Sequence, residues 1–127
     1  IGKNKNKKTL INNFIEKIKS NKSIDTSKEA YRNIIDIKTA ILVIRYIINN
    51  NYNKRIFNIA NTKMYSTLEI LETLEKIYNR KAKIEFNNKY NNKNKFKINL
   101  NYTNSIYKKL NVNFGKNYLY NKIKINM

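Results

Sequence analysis

Between Ile56 and Ile77 the sequence reads IFNIANTKMYSTLEILETLEKI: an apolar run, a polar turn and a helix start in quick succession. Ser66 and Glu69 have the Ser-x-x-Glu spacing of a capping box, in which the serine oxygen accepts from the Glu69 amide and the glutamate reaches back to the Ser66 amide. Tyr65 and Ile70 fall just outside and just inside that start, placed for a hydrophobic staple. The spacing predicts a helix from Thr67 to about Asn79 with Leu68, Leu71, Leu74, Ile77 and Tyr78 on one stripe. Such a stripe is stable only against other apolar surface, so the rest of the chain has to supply a core.

The lead IGKNKNKK has no core pattern. TLINNFIEKIKSN predicts a helix with Leu10, Ile11, Phe14, Ile15 and Ile18 on one face. SIDTSKEA reads as a loop, YRNIIDI as a short strand, KTAILVIRYIINNNY as a helix whose end dissolves into asparagine, and RIFNIA as the next strand. After the capped helix come a strand in KAKIEF, a low-complexity loop in NNKYNNKNK, a further strand in FKINL, and two short helices in NSIYKKL and GKNYLYNKIKIN. The 127 residues fit one domain, 9–127 behind a charged lead over 1–8. The alternation predicts an α/β class with an α+β feel, short strands with helices packed around them.

The chain has neither cysteine nor histidine, which removes disulfides, thiolate nucleophiles, histidine general bases and the usual zinc sites. The longest apolar run, IIDIKTAILVIRYII, is interrupted by Asp36, Lys38 and Arg45 and reads as strand plus helix, not as a membrane span. No signal-peptide pattern opens the sequence, so a cytoplasmic protein with no membrane partner is expected. A net charge of +19 invites a nucleic-acid reading, because clustered cations release counterions from phosphates. Arg32, Arg45, Arg55 and Arg80 are the only arginines, however, and bidentate phosphate and base recognition favours that side chain. The lysines are spread through every segment, as expected when an AT-rich genome drifts toward A- and T-rich codons. No specific nucleic-acid contact is expected. A basic RNA- or ribosome-associated protein stays as the alternative, supported by charge and interspersed tyrosines.

From Thr9 to about Tyr120 the order of these pieces resembles the C-terminal, substrate-binding portion of the NAD-dependent epimerase/dehydratase family. These are the extended short-chain dehydrogenases of Rossmann type that act on nucleotide sugars. The resemblance is carried by TLINNFIEKI, by SIDTSKEAYRNIIDI with Arg32, by TAILVIRYII and by FNIANTKMYSTLEILETLEKI, with KIEF and NSIYKKLNVNF following in the same order. It implies a nucleoside diphosphate sugar as partner, with Arg32 at the diphosphate and Leu10, Ile24 and Asp25 flanking the base. It also implies that NAD is bound by a domain upstream of Ile1, with no cofactor and no catalytic residue in this chain. In such enzymes the NAD oxidises the sugar transiently by hydride abstraction and a tyrosine phenolate serves as base; this lobe holds the nucleotide so that the hexose faces the nicotinamide. The chain is then expected to be a fragment, inactive alone, of a homodimeric parent.

Arg32 has a physical reason beside the resemblance: a guanidinium fork matches two phosphate oxygens. The plainer alternative is a surface arginine paired with Asp36 or Glu29. Leu10 and Ile24 read equally well as core residues. Asn58 reads as structural, fixing the neighbouring turn. Glu69 belongs to the cap, and Glu72 and Glu75 to a solvated helix face.

The chain also departs from the family pattern. Lys38 and Thr39 stand where acidic residues are usual, and Thr26 and Lys28 replace glycines. A second basic residue has no clear match among Asn87 to Lys95, where Lys89 supplies only a point charge. Gly2 and Gly115 cannot build a phosphate-cradling turn. Tyr118 and Lys122 have Tyr-x-x-x-Lys spacing, which in a chain this rich in tyrosine and lysine reads as coincidence.

Overall fold

The capping box forms. In the computed structural model, which describes residues 9–52, 55–87 and 96–125, Ser66 Oγ accepts from the Glu69 amide at 3.1 Å and the Glu69 carboxylate accepts from the Ser66 amide at 2.8 Å. Tyr65 and Ile70, the staple pair, are both buried in one cluster. The described residues form a small mixed α/β domain in the order α1 (Leu10–Lys19), β1 (Ser23–Thr26), β2 (Tyr31–Asn33), α2 (Ile37–Asn49), β3 (Met64–Ser66), α3 (Thr67–Tyr78), β4 (Lys83–Phe86), α4 (Asn101–Lys109) and α5 (Tyr118–Ile125). None of these helices is long and apolar enough to cross a membrane.

Among the described residues the strands make two separate pairs, not one wound sheet. β1 runs parallel to β4, Ile24 opposite Ile84, and β2 runs antiparallel to β3, Arg32 opposite Tyr65. Two apolar clusters cover them. The first joins Phe14 and Ile18 of α1, Ile24, Tyr65, Leu71 and Leu74 of α3, and Leu119 and Ile123 of α5. The second joins Val43 of α2 to Ala60, Leu100 and the α4 residues Ile106 and Tyr107. Phe114 touches both, and its ring stands edge-on to Tyr107 and to Tyr118 at 5.1 Å each, so the two cores are continuous through three aromatics.

Asparagine takes the place of glycine at the helix ends. Asn21, Asn51, Asn79 and Asn111, at the ends of α1 to α4, have φ of 55°, 53°, 48° and 51°. Left-handed backbone at that position lets the following amides turn back onto orphan carbonyls, as Lys22 does to Lys17 and Val112 to Tyr107, both at 2.9 Å. Among L-residues asparagine tolerates this region best. Part of the asparagine richness is thus helix punctuation in a chain with two glycines.

Several expectations are corrected. SIDT, read as loop, is strand β1; its one apolar residue, Ile24, is buried, and its partner β4 lies far away in sequence. RIFNIA and FKINL form no ladder among the described residues. The strand read into YRNIIDI stops at Asn33, because Asp36 caps α2 by accepting from the Thr39 amide at 3.3 Å. Leu68 is half-buried and lies outside the core cluster, while the buried face of α3 is Thr67, Ile70, Leu71 and Leu74. Glu75 is not on a solvated face: it accepts from the Ala82 amide at 2.8 Å and from Lys81 at 2.9 Å, tying α3 to the residues that lead into β4. The lead over 1–8 and the loop over 88–95 lie outside the described residues.

Burial opposes ionisation of Glu69 and Glu75, yet hydrogen bonds outweigh it. Lys63 and the Ser66 amide hold Glu69 below its ordinary value of 4.5, and the Ala82 amide and Lys81 hold Glu75 below it. A carboxyl depressed in the folded state stabilises the fold above its unfolded pKa and loses that contribution as pH falls through the folded value. Thermal midpoints are therefore expected to decline below about pH 4.5. The double variant Glu69→Gln/Glu75→Gln should show a shallower decline, each group being worth about 1 kcal/mol or less. An acid limb equally steep in that variant would assign the sensitivity to other carboxylates.

Candidate functional site

Arg32 sits at the centre of β2, and the segment leading to it is pinned by α3. The Thr67 amide and hydroxyl both donate to the Ala30 carbonyl, at 2.9 and 3.1 Å, so the start of the capped helix fixes where β2 begins. The Arg32 side chain is exposed, and its Nη1 donates to the adjacent Tyr31 carbonyl at 2.8 Å. Neither expected carboxylate pairs with it. Asp36 is buried and bound to Lys122 at 3.3 Å, and among the described residues no carboxylate lies within ion-pair distance of the guanidinium.

The other three residues singled out by sequence divide. Asp25 is exposed on β1 beside Glu85 of β4 and accepts from Asn87 Nδ2 at 3.4 Å. Ile24 is 0% exposed, and Leu10 is half-buried against the same cluster, so both contribute to the core. Asp25 and Arg32 therefore offer polar groups to solvent, on strands of different pairs, while Leu10 and Ile24 support β1 from beneath.

Tyr118 and Lys122 do act together, though as a clamp. Four residues apart on α5, they share a face and both reach Asp36: the Tyr118 hydroxyl accepts from the Asp36 amide at 2.8 Å, and Lys122 Nζ meets Asp36 Oδ2. Lys122 also lies over the Tyr118 ring, 5.6 Å from its centroid. The pair seats α5 on the start of α2.

A shallow groove of about 1040 Å³ runs between the turn before β3 and the approach to α4, lined by Asn33, Lys63, Met64, Phe96, Lys97 and Asn104 among others. Sequence reasoning did not find it, because its polar residues are the asparagines and lysines that fill the chain. Much of its lining is already engaged. Asn33 Nδ2 donates to the Asn61 and Lys63 carbonyls at 2.8 and 3.3 Å, and Lys63 pairs with Glu69 at 2.7 Å. Asn58 is structural as expected, but its partner is Asn99, whose carbonyl it reaches at 2.9 Å. The turn next to it is fixed by Asn61, whose Oδ1 accepts from the Lys63 amide at 2.9 Å.

Gly115, the one glycine among the described residues, does not have positive φ, and a Cβ there would meet the Asn113 side chain. A turn built on Gly115 is therefore not the open glycine turn that cradles a pyrophosphate at a helix start. Comparison with protein-family models, with curated proteins and with solved structures finds no match for this chain.

Proposed function

We propose that the chain is the nucleotide-sugar-binding lobe of a Rossmann-type NAD-dependent epimerase or dehydratase, with the dinucleotide held outside it. The observation that supports this most is the Arg32 guanidinium: exposed, held toward its own strand, and without a carboxylate partner among the described residues. An unpaired planar cation on a strand pinned by a capped helix suits a diphosphate. Asp25 would address a ribose or base donor from β1. Ile24, wholly buried, would meet the base only through the main chain of β1.

The RNA reading finds less support in the aromatic residues. Tyr65 is buried, and the exposed rings of Phe86 and Tyr102 each carry a cation of the chain itself, Lys28 and Arg55, at 4.8 and 4.9 Å, which competes with a stacking base.

A nucleoside diphosphate hexose titrated into the chain, followed by NMR shifts, is expected to perturb β1 and β2. Arg32→Ala should weaken binding by roughly 1.5–3 kcal/mol, the value of a charge-assisted contact, and Arg32→Lys should recover part of it. Equal affinity in wild type and Arg32→Ala would remove Arg32 from the site. Single-stranded RNA bound more tightly than the nucleotide sugar at physiological salt, with a base preference, would favour the alternative.

A further inference from the structure

Helix α2 turns an apolar stripe to solvent. Of the ten large apolar side chains exposed among the described residues, five stand on this one helix: Ile37, Ile41, Leu42, Ile44 and Ile48, the last 66% exposed. Ile37, Ile41, Ile44 and Ile48 repeat at spacings of four, three and four, which at about 100° per residue gathers them within an arc of roughly 60°. The helix packs into the second cluster through Val43, Tyr46 and Ile47. That face is centred roughly 130° round the helix from the stripe, so the packing of the domain leaves the isoleucines open.

Lys38 and Arg45 come next round the helix after Ile41, on the edge of the stripe away from Ile47, and both are exposed. Neither is in an ion pair among the described residues, and α2 carries no acidic residue. The carboxylate nearest in sequence, Asp36, is buried and bound to Lys122. Nothing acidic on this helix therefore offsets the two cations.

We propose that this face of α2 is a docking surface for an anionic lipid bilayer, with the helix lying flat at the boundary between headgroups and acyl chains. At 13 residues α2 is roughly 20 Å long, short of the ~30 Å hydrocarbon core, so it binds along the surface and needs no membrane span. In that position the four isoleucines enter the acyl boundary, while the long stems of Lys38 and Arg45 carry their charges up to the phosphates. Charge and side-chain type together select the occupant. A net charge of +19 draws the chain to an anionic surface and opposes a second copy bringing the same cations. Nucleic acid would meet the cations but gain nothing from branched aliphatic side chains, which offer no stacking face. A protein groove is read through aromatic or hydrogen-bonding anchors; the stripe has neither, and a fluid surface needs none. The inference does not rest on the nucleotide-sugar reading.

The chain has no tryptophan, so Ile48→Trp makes the stripe its own reporter. The probe is a vesicle of phosphatidylcholine with about one-third phosphatidylglycerol, which gives its surface a negative potential. On these vesicles the Ile48→Trp emission is expected to shift to the blue and to be quenched by brominated acyl chains. Phe86→Trp, on β4 and outside the cluster that holds α2, should keep the emission it has in buffer. Adding Ile37→Ser/Ile41→Ser to the Ile48→Trp chain should weaken partition by about tenfold or more, with the amide NMR spectrum in buffer showing that the fold is kept. Adding Lys38→Gln/Arg45→Gln instead, which touches no packed residue, should weaken it by about tenfold or more as well. No blue shift with these vesicles would overturn the proposal and leave the stripe to a protein partner. Equal shifts in the Ile48→Trp and Phe86→Trp chains would mean diffuse lysine attraction, and equal partition into phosphatidylcholine alone would remove charge from the selection; either overturns it. A shift that grows with chain concentration and no vesicles would make a second copy the occupant, and would overturn it too.

Discussion

Leu74→Ala is expected to lower the unfolding free energy by about 2–5 kcal/mol, the range for truncating a buried leucine whose surroundings only partly collapse. Leu74 has no exposed surface and lies in the middle of α3, in the cluster that gathers α1, β1, α3 and α5. A cavity there would be felt by four elements. Leu68, six residues earlier on the same helix and on the stripe drawn from sequence, is half-buried and outside that cluster. Its truncation is expected to cost about 1 kcal/mol, near the value of a methylene or two withdrawn from partial cover. Urea denaturation with an unchanged slope measures both. Equal losses at the two positions would mean that α3 is rotated from the orientation described, with Leu68 and not Ile70 toward the core.

That contrast marks how far the pattern could be read. The helices were legible because their signals are local: the Ser66–Glu69 box, the apolar face of α1, and the asparagine run in which α2 ends. The strands were legible only in part, β4 in KAKIEF and β2 at the start of YRNIIDI but neither β1 nor β3, since a strand exists only through its partner. Ser23–Thr26 has one buried apolar residue and pairs with Lys83–Phe86, so nothing within SIDT announces it. Arg55–Ala60 has the strand pattern and no ladder among the described residues. The polar sites follow the same division. Exposure of Arg32 follows from its place on a short strand. The burial of Asp36 and its pairing with Lys122 depend on a contact across 86 positions that no local pattern encodes.

Asn61→Ala tests the part that sequence missed. Asn58 was the residue read as fixing the turn, and it is exposed, with one side-chain bond to Asn99. Asn61 is 2% exposed: its Nδ2 donates to the Ile34 carbonyl at 3.0 Å and to the Tyr65 hydroxyl at 3.3 Å, its Oδ1 accepts from the Lys63 amide, and its own amide donates to Asn33 Oδ1 at 2.9 Å. One side chain thus joins the end of β2, the turn before β3 and the staple tyrosine. Truncation removes three bonds and strands the Ile34 carbonyl where water enters with difficulty, and a buried orphan of that kind costs about 1–3 kcal/mol. The total expected is roughly 2–4 kcal/mol, against less than about 1 kcal/mol for Asn58→Ala, where solvent replaces the lost partner. Because β2 carries Arg32, the same variant should also broaden the NMR signals of Tyr31 to Asn33. A larger loss at Asn58 than at Asn61, with β2 undisturbed in Asn61→Ala, would restore the sequence reading and remove Asn61 from the centre of the turn.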